Sequence, residues 1–498
     1  MDLILVGAEI RDAPFRAACG GALGVSTGRI AALGEAAQVL PRRVRGTRVI
    51  RLRGGTLLPG FVDAHLHFRA LARRRVSLDA AAADAADLLR RIATAARGGT
   101  GWLFAHGLEH RRPGFGALPT LAELDRVTRG RPLWLRHRSG HLSLLNSAAL
   151  GALGWAERDP PLGTMERQAG RPSGVVYDAE PEIGRLLRER HPPAAPGEIA
   201  ETARALLRLG TTAFADLTAA NAAPDLDTWR ADYEAGRIPQ ALSLWVAQGS
   251  LRGRAHPGAQ DAVRWGGIKV LPSLRSGGLA PPVEELAEVL GWAARAGWPV
   301  AIHAVEGDAL AHTLEALRRA AERPPHRLPA LRLEHLNLPP PPLVEALASY
   351  RVDVCVQPGL LWVQGAVFRE SVPRAQWPWL FPLASLARSA RLALGSDAPA
   401  APQDLLCHAA AACARRDAEG HRWNAGERLT PEAALTAITR DAARLAGLAD
   451  LTGRLGPGAR ADAVYFKQDW RALRRALEAG QPPRPAATLC AGVWHDWR

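Results

Sequence analysis

The sequence predicts an α/β fold: a (β/α)8 TIM barrel with a small β-sandwich domain formed from both termini and an insertion after the first barrel strand. Apolar β-type runs alternate with helical stretches through the middle of the chain, short strands punctuated by glycines lie at both ends, and one long interval separates the first two runs. Such alternation is typical of parallel strands joined by crossover helices. The predicted boundaries are 1–55 for the first part of the sandwich, 56–450 for the barrel including an insertion at 69–196, and 451–498 for the second part.

The two ends of the chain predict the sandwich. The first fifty residues contain the strand-like runs LILVGAEIR, ALGVSTGRIAALG and TRVIRLRGG, with glycines where the chain must reverse. The last fifty contain GRLGPGARADAVYF and AATLCAGVWHDW. Each end is too short to bury a core alone, so we expect both to form one domain.

Eight apolar runs predict the barrel strands. They are TLLPGFVDAH, TTAFADL, QALSLWVAQ, GIKVLPS, PVAIHAV, ALRLEHL, VDVCVQP and RLALGSD. Helices are predicted between some of them, at Gly197 to Leu209, Pro282 to Ala296, Asp308 to Ala321 and Pro342 to Ser349. A barrel of eight such units carries its chemistry at the carboxyl ends of the strands.

The interval from about Arg69 to Pro196 is far longer than the connection within a βα unit. We therefore expect an insertion that caps the barrel mouth.

Composition narrows the class of protein. The 498 residues are 47% hydrophobic and 22% charged, which is typical of a globular protein with a large core. The net charge is +14, but the arginines are spread along the chain, often beside acids, so we expect no nucleic-acid partner.

The cysteines and the apolar segments predict a cytoplasmic protein. Five cysteines without a CxxC spacing indicate neither a disulfide framework nor a thiolate zinc site. The sequence has no secretory-type leader and no convincing bilayer span, so we expect no membrane partner.

His65 and His67 lie at the end of the first predicted strand. Residues two apart on a strand point to the same face, so both imidazoles would project together. An HxH pair alone is also common in proteins that bind no metal. The metal interpretation gains support because His303, His335 and Asp397 close three further predicted strands. Each alone could be a hydrogen-bonded core residue, but together they are an appropriate ligand set for zinc, with Fe, Mn, Co or Ni as alternatives.

Lys269 lies on the fourth predicted strand of a chain that has only two lysines, the other being Lys467. Arginine stays protonated, whereas a desolvated lysine can become neutral and react with CO2 to form a carbamate. A carbamate is a bidentate anion able to bridge two metals. An ordinary ion pair is the alternative.

Several motifs together resemble the metal-dependent amidohydrolase superfamily. They are LPGFVDAHLHF, the strand-end His303 and His335, GSDAP and GRLGPGARADAVYF. The resemblance covers essentially the whole chain. It implies a centre of one or two Zn2+ or other divalent ions held by His65, His67, Lys269 as its CO2-derived carbamate, His303, His335 and Asp397.

Within that superfamily, RPLWLRHRSGHLSLLNSAALGALG and RPSGVVYDAE resemble the branch of YtcJ-like proteins and N-substituted formamide deformylase. This resemblance implies that His141 and Asn146 lie near the substrate; a hydrogen-bonded structural turn is the alternative. The fourth-strand lysine is followed by KVLPSLRSGG rather than the acidic loop common in the branch. Arg275 in this loop is a candidate to bind a substrate carboxylate, with a solvated loop arginine as the alternative.

Two further interpretations concern the surroundings of the site. Glu334 precedes His335 and should point to the opposite face of its strand, where it would serve packing rather than catalysis. The long stretch LWVQGAVFRESVPRAQWPWLFPL is a candidate apolar lid in which Trp362 contacts substrate; a packed surface loop or an oligomer contact is the alternative.

The predicted function is hydrolysis of a non-peptide carbon–nitrogen bond in an amide, formamide or cyclic amide by metal-activated hydroxide. A bound metal lowers the pKa of water, and Asp397 would act as the catalytic proton acceptor and donor. Alternatives are a lactone, phosphoester or deaminase-type hydrolase on the same centre, or a non-catalytic barrel. We expect a small-molecule substrate, and the resemblance is compatible with a homo-oligomer.

Overall fold

The chain divides into two compact units, described separately below. One unit comprises Met1–His67 with Ala203–Arg498, and the other comprises Phe68–Thr202. The computed structural model describes residues 1–497 except 99, 111–113, 138–141, 162, 191–194, 259–260, 276–277 and 325, and it does not describe the side chains of 76, 181, 188–190, 273–275 and 278.

The first unit contains a sheet of eight strands that lie side by side in chain order. All neighbouring pairs are parallel, as in a (β/α)8 barrel. Each of the eight predicted runs overlaps one barrel strand. From the first barrel strand to the eighth they are Phe61–Leu66, Thr211–Asp216, Ala241–Ala247, Val263–Val270, Val300–Glu306, Leu331–Leu338, Val352–Val356 and Arg391–Leu394.

Backbone contacts connect the eighth barrel strand to the first. Leu66 forms a bridge with Ala398, and the Asp397 amide donates to the His65 carbonyl at 2.6 Å. Every residue of the first two barrel strands is buried. This burial is the reason that the strands read as continuous apolar runs, since a parallel sheet is covered on both faces.

Helices cover the outside of the barrel. The helix Val283–Ala296 buries Leu286, Val289, Leu290 and Ala293, the spacing that turns one helical face to a core. The four predicted helices are present. Together with the additional ones, the helices of the barrel are Pro196–Arg208, Asp225–Glu234, Val283–Ala296, Gly307–Glu322, Pro341–Ala346, Gly359–Ser371, Leu383–Ser389, Leu405–Ala414, Pro431–Ala437 and Arg440–Leu445.

Short elements complete the connections. A two-stranded hairpin pairs Ser273–Arg275 with Gly278–Ala280 after the fourth barrel strand. The 3-10 helices are Gln248–Leu251, Leu347–Ser349, Arg374–Trp379 and Ala425–Glu427. The prediction that the aromatic stretch is a loop is thus wrong. The stretch forms the helix Gly359–Ser371 followed by the 3-10 helix Arg374–Trp379.

Both chain ends contribute to a second sheet in the first unit. Its strands are Leu3–Arg11, Ala18–Ser26, Arg29–Gly34, Arg48–Arg51, Thr56–Pro59, Ala463–Phe466, Ala487–Cys490 and Val493–Asp496. The helix Ala36–Val39 and the 3-10 helix Leu40–Arg42 lie beside it, and the helix Trp470–Glu478, between two of its strands in sequence, contacts the barrel helix Leu405–Ala414.

The predicted first strand TLLPGFVDAH is in fact two strands. Thr56–Pro59 pairs with Ala463–Phe466 in the terminal sheet, and the barrel begins only at Phe61. Between them, a Cβ at Gly60 would lie 2.1 Å from Thr212 Oγ1, so only glycine fits this crossing. The terminal sheet therefore extends to Pro59, beyond the predicted boundary at 55.

The second unit, Phe68–Thr202, corresponds to the predicted insertion 69–196 and has its own sheet and core. Its strands are Leu78–Asp79, Leu103–Leu108, Leu133–His137, Leu142–Leu145, Thr164–Gln168 and Arg171–Tyr177. Its helices are Phe68–Val76, Ala85–Ala96, Leu121–Thr128, Ser147–Leu153 and Glu180–Arg190. That the insertion caps the barrel mouth stays a prediction.

Among the described residues, no helix combines the length and the apolar character needed to span a bilayer.

Candidate metal centre

The barrel brings the predicted ligands to one end of the sheet. His65, Lys269, His303 and His335 lie on the first, fourth, fifth and sixth barrel strands near their carboxyl ends. His67 follows the first strand directly, and Asp397 follows the eighth. Parallel strands of one barrel end at the same rim, which is why residues far apart in sequence meet here.

Asp397 is surrounded by three of the histidines. Its Oδ1 lies 3.0 Å from His67 Nε2 and 3.5 Å from His65 Nε2. Its Oδ2 lies 4.0 Å from His335 Nδ1. Nitrogen and oxygen atoms of His65, His67 and Asp397 all lie within 4.8 Å of one another, close enough to bind one ion.

His303 and Lys269 complete the group. The His303 ring centroid lies 4.4 Å from that of His335. The positive charge of Lys269 contributes to lowering the pKa values of His65, His303 and His335, as expected for a close neighbour. All six predicted ligands therefore belong to one cluster.

Burial sets the charge state of the cluster. It lowers the pKa of His303 and His335, and it lowers that of His65 to about 3, because burial removes the water that would stabilise a charged imidazolium. Burial likewise lowers the pKa of Lys269. Burial alone would raise the pKa of Asp397, but the hydrogen bond with His67 and the nearby histidines hold it below its ordinary value. Burial thus favours the neutral form of His65, His303 and His335, and the Asp397 carboxylate stays ionised.

The residues of this cluster fit a divalent metal. His65 Nε2 and Lys269 Nζ are buried and have no hydrogen-bond partner among the described residues. Leaving buried polar atoms unpaired costs about 1–3 kcal/mol each, which a ligand at this position would offset. Neutral imidazole nitrogens with a carboxylate oxygen are an established donor set for zinc.

Glu334 is the clearest error of the sequence interpretation. It lies in the cluster, with Oε2 at 2.6 Å from His65 Nδ1, rather than on the outer face. The alternation of a regular strand fails here because His335 and Leu336 both adopt positive φ, +79° and +48°. Asp397 also has a positive φ of +54°. Non-glycine residues in this region are strained, and such strain concentrates at functional sites.

Sequence reasoning also missed the partners of the other histidines. His67 Nδ1 lies 3.1 Å from Thr218 Oγ1, and His335 Nδ1 lies 2.8 Å from Gln357 Oε1. Thr218 lies two residues after the end of the second barrel strand, and Gln357 directly follows the seventh. The rule that found the ligands, a polar residue after a buried strand, would have found both.

Comparison with known proteins now decides the family. The amidohydrolase family matches residues 48–496, most of the chain. The chain belongs to the amidohydrolase family. It is accordingly a metal-dependent hydrolase that acts on carbon–nitrogen bonds other than peptide bonds.

The relatives of this amidohydrolase share its length. It is similar to N-substituted formamide deformylase of Arthrobacter pascens, with 26% identity covering 94% of each chain. It is also similar to the putative amidohydrolase YtcJ of Bacillus subtilis (strain 168), with 24% identity covering 85% of this chain and 86% of the relative. These findings confirm the predicted branch.

A solved structure has the same fold. The metal-dependent hydrolase from Pyrococcus horikoshii OT3, which is uncharacterised, superimposes with a TM-score of 0.76 at 21% identity, covering 94% of this chain and 97% of that one. At this identity the likeness shows the fold alone.

Asn146 has a structural role in the second unit of the amidohydrolase. Its Oδ1 accepts from the amides of Leu133 at 2.8 Å and Ala149 at 3.0 Å, and its Nδ2 donates to Thr128 Oγ1 and to the Arg131 carbonyl. The amide group has no capacity left for a substrate, so these contacts favour the structural alternative. His141 lies outside the described residues, as does the side chain of Arg275.

Trp362 lies on the helix Gly359–Ser371 and is 37% exposed. It lines a groove formed with Cys407, Ala411, Arg416, Asp417, Ala479, Gly480 and Pro482. No predicted metal ligand is among the described residues of this groove, and a contact of Trp362 with substrate stays a prediction.

Proposed function

We propose that His65, His67, Lys269, His303, His335 and Asp397 form a centre for one or two zinc ions, and that this centre hydrolyses the carbon–nitrogen bond of an amide, formamide or cyclic amide. The observation that carries the proposal is the convergence of four histidines, a buried lysine and a carboxylate at one rim of the barrel.

A divalent metal bound there would supply Lewis-acid activation of the carbonyl and of a water molecule. Asp397 holds its carboxylate ionised beside three histidines, so it can accept a proton from the attacking water. The same carboxyl group can then return that proton to the departing nitrogen. His67 orients Asp397 through the contact of its Nε2 with Oδ1.

Lys269 is proposed to carry a carbamate. The reaction joins a neutral amine to CO2, forming one N–C bond and releasing one proton, so that the product is the anion Lys–NH–COO⁻. Burial favours the neutral amine that this step requires. The Nζ atom also has no hydrogen-bond partner within the described part of the chain.

The relative from Arthrobacter pascens is named for N-substituted formamides, which makes these compounds the first substrates to test here. A panel of N-formyl amines, N-acyl amines and cyclic amides, with a lactone and a phosphoester as comparators, is incubated with zinc-loaded protein. We expect turnover of at least one carbon–nitrogen substrate and a loss of at least 100-fold in kcat for Asp397→Asn. Turnover of the lactone or phosphoester alone would contradict the proposed bond specificity.

Cytoplasmic location, a homo-oligomeric state and the absence of a nucleic-acid partner stay predictions from the sequence.

A further inference from the structure

Glu334 is completely buried in the ligand cluster, and its carboxylate has two partners. Its Oε2 lies 2.6 Å from His65 Nδ1. Arg332 donates from Nε to Oε1 at 2.5 Å and from an NH2 group to Oε2 at 3.2 Å. Arg332 is fixed in turn, because it donates to the carbonyls of Ala64 and Leu445 and lies over the Trp245 ring.

These contacts decide where His65 carries its proton. An arginine stays protonated in proteins, so a buried carboxylate paired with it stays ionised. An ionised carboxylate only accepts hydrogen bonds, so the short contact requires the proton on His65 Nδ1. The lone pair is then on Nε2.

The Nε2 atom faces the proposed metal position. It lies 3.5 Å from Asp397 Oδ1, and it is buried without a hydrogen-bond partner among the described residues. A lone pair and a carboxylate oxygen facing each other repel, unless a cation lies between them.

His67 shows why Glu334 matters specifically. His67 has the same orientation, with Nδ1 on Thr218 Oγ1 and Nε2 on Asp397. A hydroxyl can donate or accept, so Thr218 leaves the tautomer of His67 free. Within the described cluster, Glu334 is the carboxylate that forms a hydrogen bond with a ligand histidine at Nδ1, and this bond fixes the tautomer of His65.

We propose that Glu334 is a positioning residue that holds His65 with its proton on Nδ1 and its Nε2 lone pair toward the metal, and that Arg332 keeps Glu334 ionised for this purpose. The inference rests on the proposed metal centre. It assigns a role to a residue that is not itself a metal ligand, because Glu334 then determines whether His65 can bind the metal through Nε2.

The test uses Glu334→Gln, because a glutamine amide has the same shape but can donate as well as accept. Zinc affinity is measured by competition with a chelator, and the tautomer of His65 in the zinc-free protein is read by NMR of ¹⁵N-histidine, with His65→Gln used for assignment. Asp353→Asn is the matched control. It removes a carboxylate of the seventh barrel strand that pairs with Arg391 at 3.0 Å.

We expect Glu334→Gln to bind zinc about 10–100-fold more weakly, with the Nε2–H tautomer of His65 appearing, while Asp353→Asn keeps wild-type affinity. Wild-type affinity in Glu334→Gln would overturn the inference. If the variant does not fold, the NMR measurement on the zinc-free wild type still tests the inference. A proton on Nε2 of His65 in that protein would overturn it. A wild type that binds no zinc would instead overturn the metal centre itself.

Discussion

At the scale of single residues, the two lysines of the chain have opposite surroundings. Lys269 is 4% exposed in the barrel, and Lys467 is exposed just after a strand of the terminal sheet. Burial favours the neutral amine at Lys269, which is the form that reacts with CO2, and Lys467 is not buried. The carbamate should therefore form at one lysine alone.

This difference predicts the result of a labelling experiment. Protein supplied with ¹³C-bicarbonate and zinc is examined by ¹³C NMR for a carbamate carbon. We expect the resonance in wild type and in Lys467→Ala, and its loss in Lys269→Ala. A resonance that survives in Lys269→Ala, or one that disappears in Lys467→Ala, would place the carbamate elsewhere.

Individual ligands could be predicted from the sequence because each follows an apolar run that had to be a buried strand. Glu334 could not, because the expected alternation placed it on the face opposite His335, and that alternation fails at His335 and Leu336, which both have positive φ. Nothing in the sequence LEHL indicates that the alternation of side chains between the two faces of the strand ends at this point. The partners Thr218 and Gln357 were predictable in principle, since they obey the same strand-end rule as the ligands.

At the scale of secondary-structure elements, Asn146 joins three pieces of the second unit. It caps the helix Ser147–Leu153 and accepts from Leu133 at the start of a neighbouring strand. It also binds Thr128 at the end of another helix. Its removal would leave several buried backbone groups without partners.

We therefore expect Asn146→Ala to reduce the free energy of unfolding of the unit Phe68–Thr202 by about 3 kcal/mol. Asp84→Ala is the matched control, because Asp84 caps the helix Ala85–Ala96 through one exposed contact and should cost about 1 kcal/mol. Amide hydrogen exchange within the unit measures the loss of unfolding free energy in each of the two variants. Unchanged protection in Asn146→Ala together with a raised KM would favour the substrate-binding alternative.

Element types were largely predictable, whereas two boundaries were not. The run TLLPGFVDAH has no polar interruption, yet Gly60 divides it between two sheets because the backbone passes against Thr212. The long aromatic stretch after the seventh strand was interpreted as a loop. Its first half, GLLWVQGAVFRES, has no proline and forms a helix.

At the scale of the whole molecule, residues from both ends of the chain combine in one sheet of the first unit. Thr56–Pro59 pairs with Ala463–Phe466 and leads directly into the first barrel strand, which carries His65. The Val62 amide also donates to the carbonyl of Ile438, so the C-terminal part of the barrel supports the same strand. The family match over residues 48–496 includes the paired strands Thr56–Pro59 and Ala463–Phe466 as well as the barrel.

The central claim, a metal centre that includes Lys269, is tested most directly by the metal content per chain. Elemental analysis is done on wild type, Lys269→Ala and Lys467→Ala, each purified without chelator and then reconstituted with zinc. We predict between one and two zinc ions per chain in wild type and in Lys467→Ala, and a clear decrease in Lys269→Ala because one ligand is missing. A wild type that stays near zero after reconstitution would contradict the account.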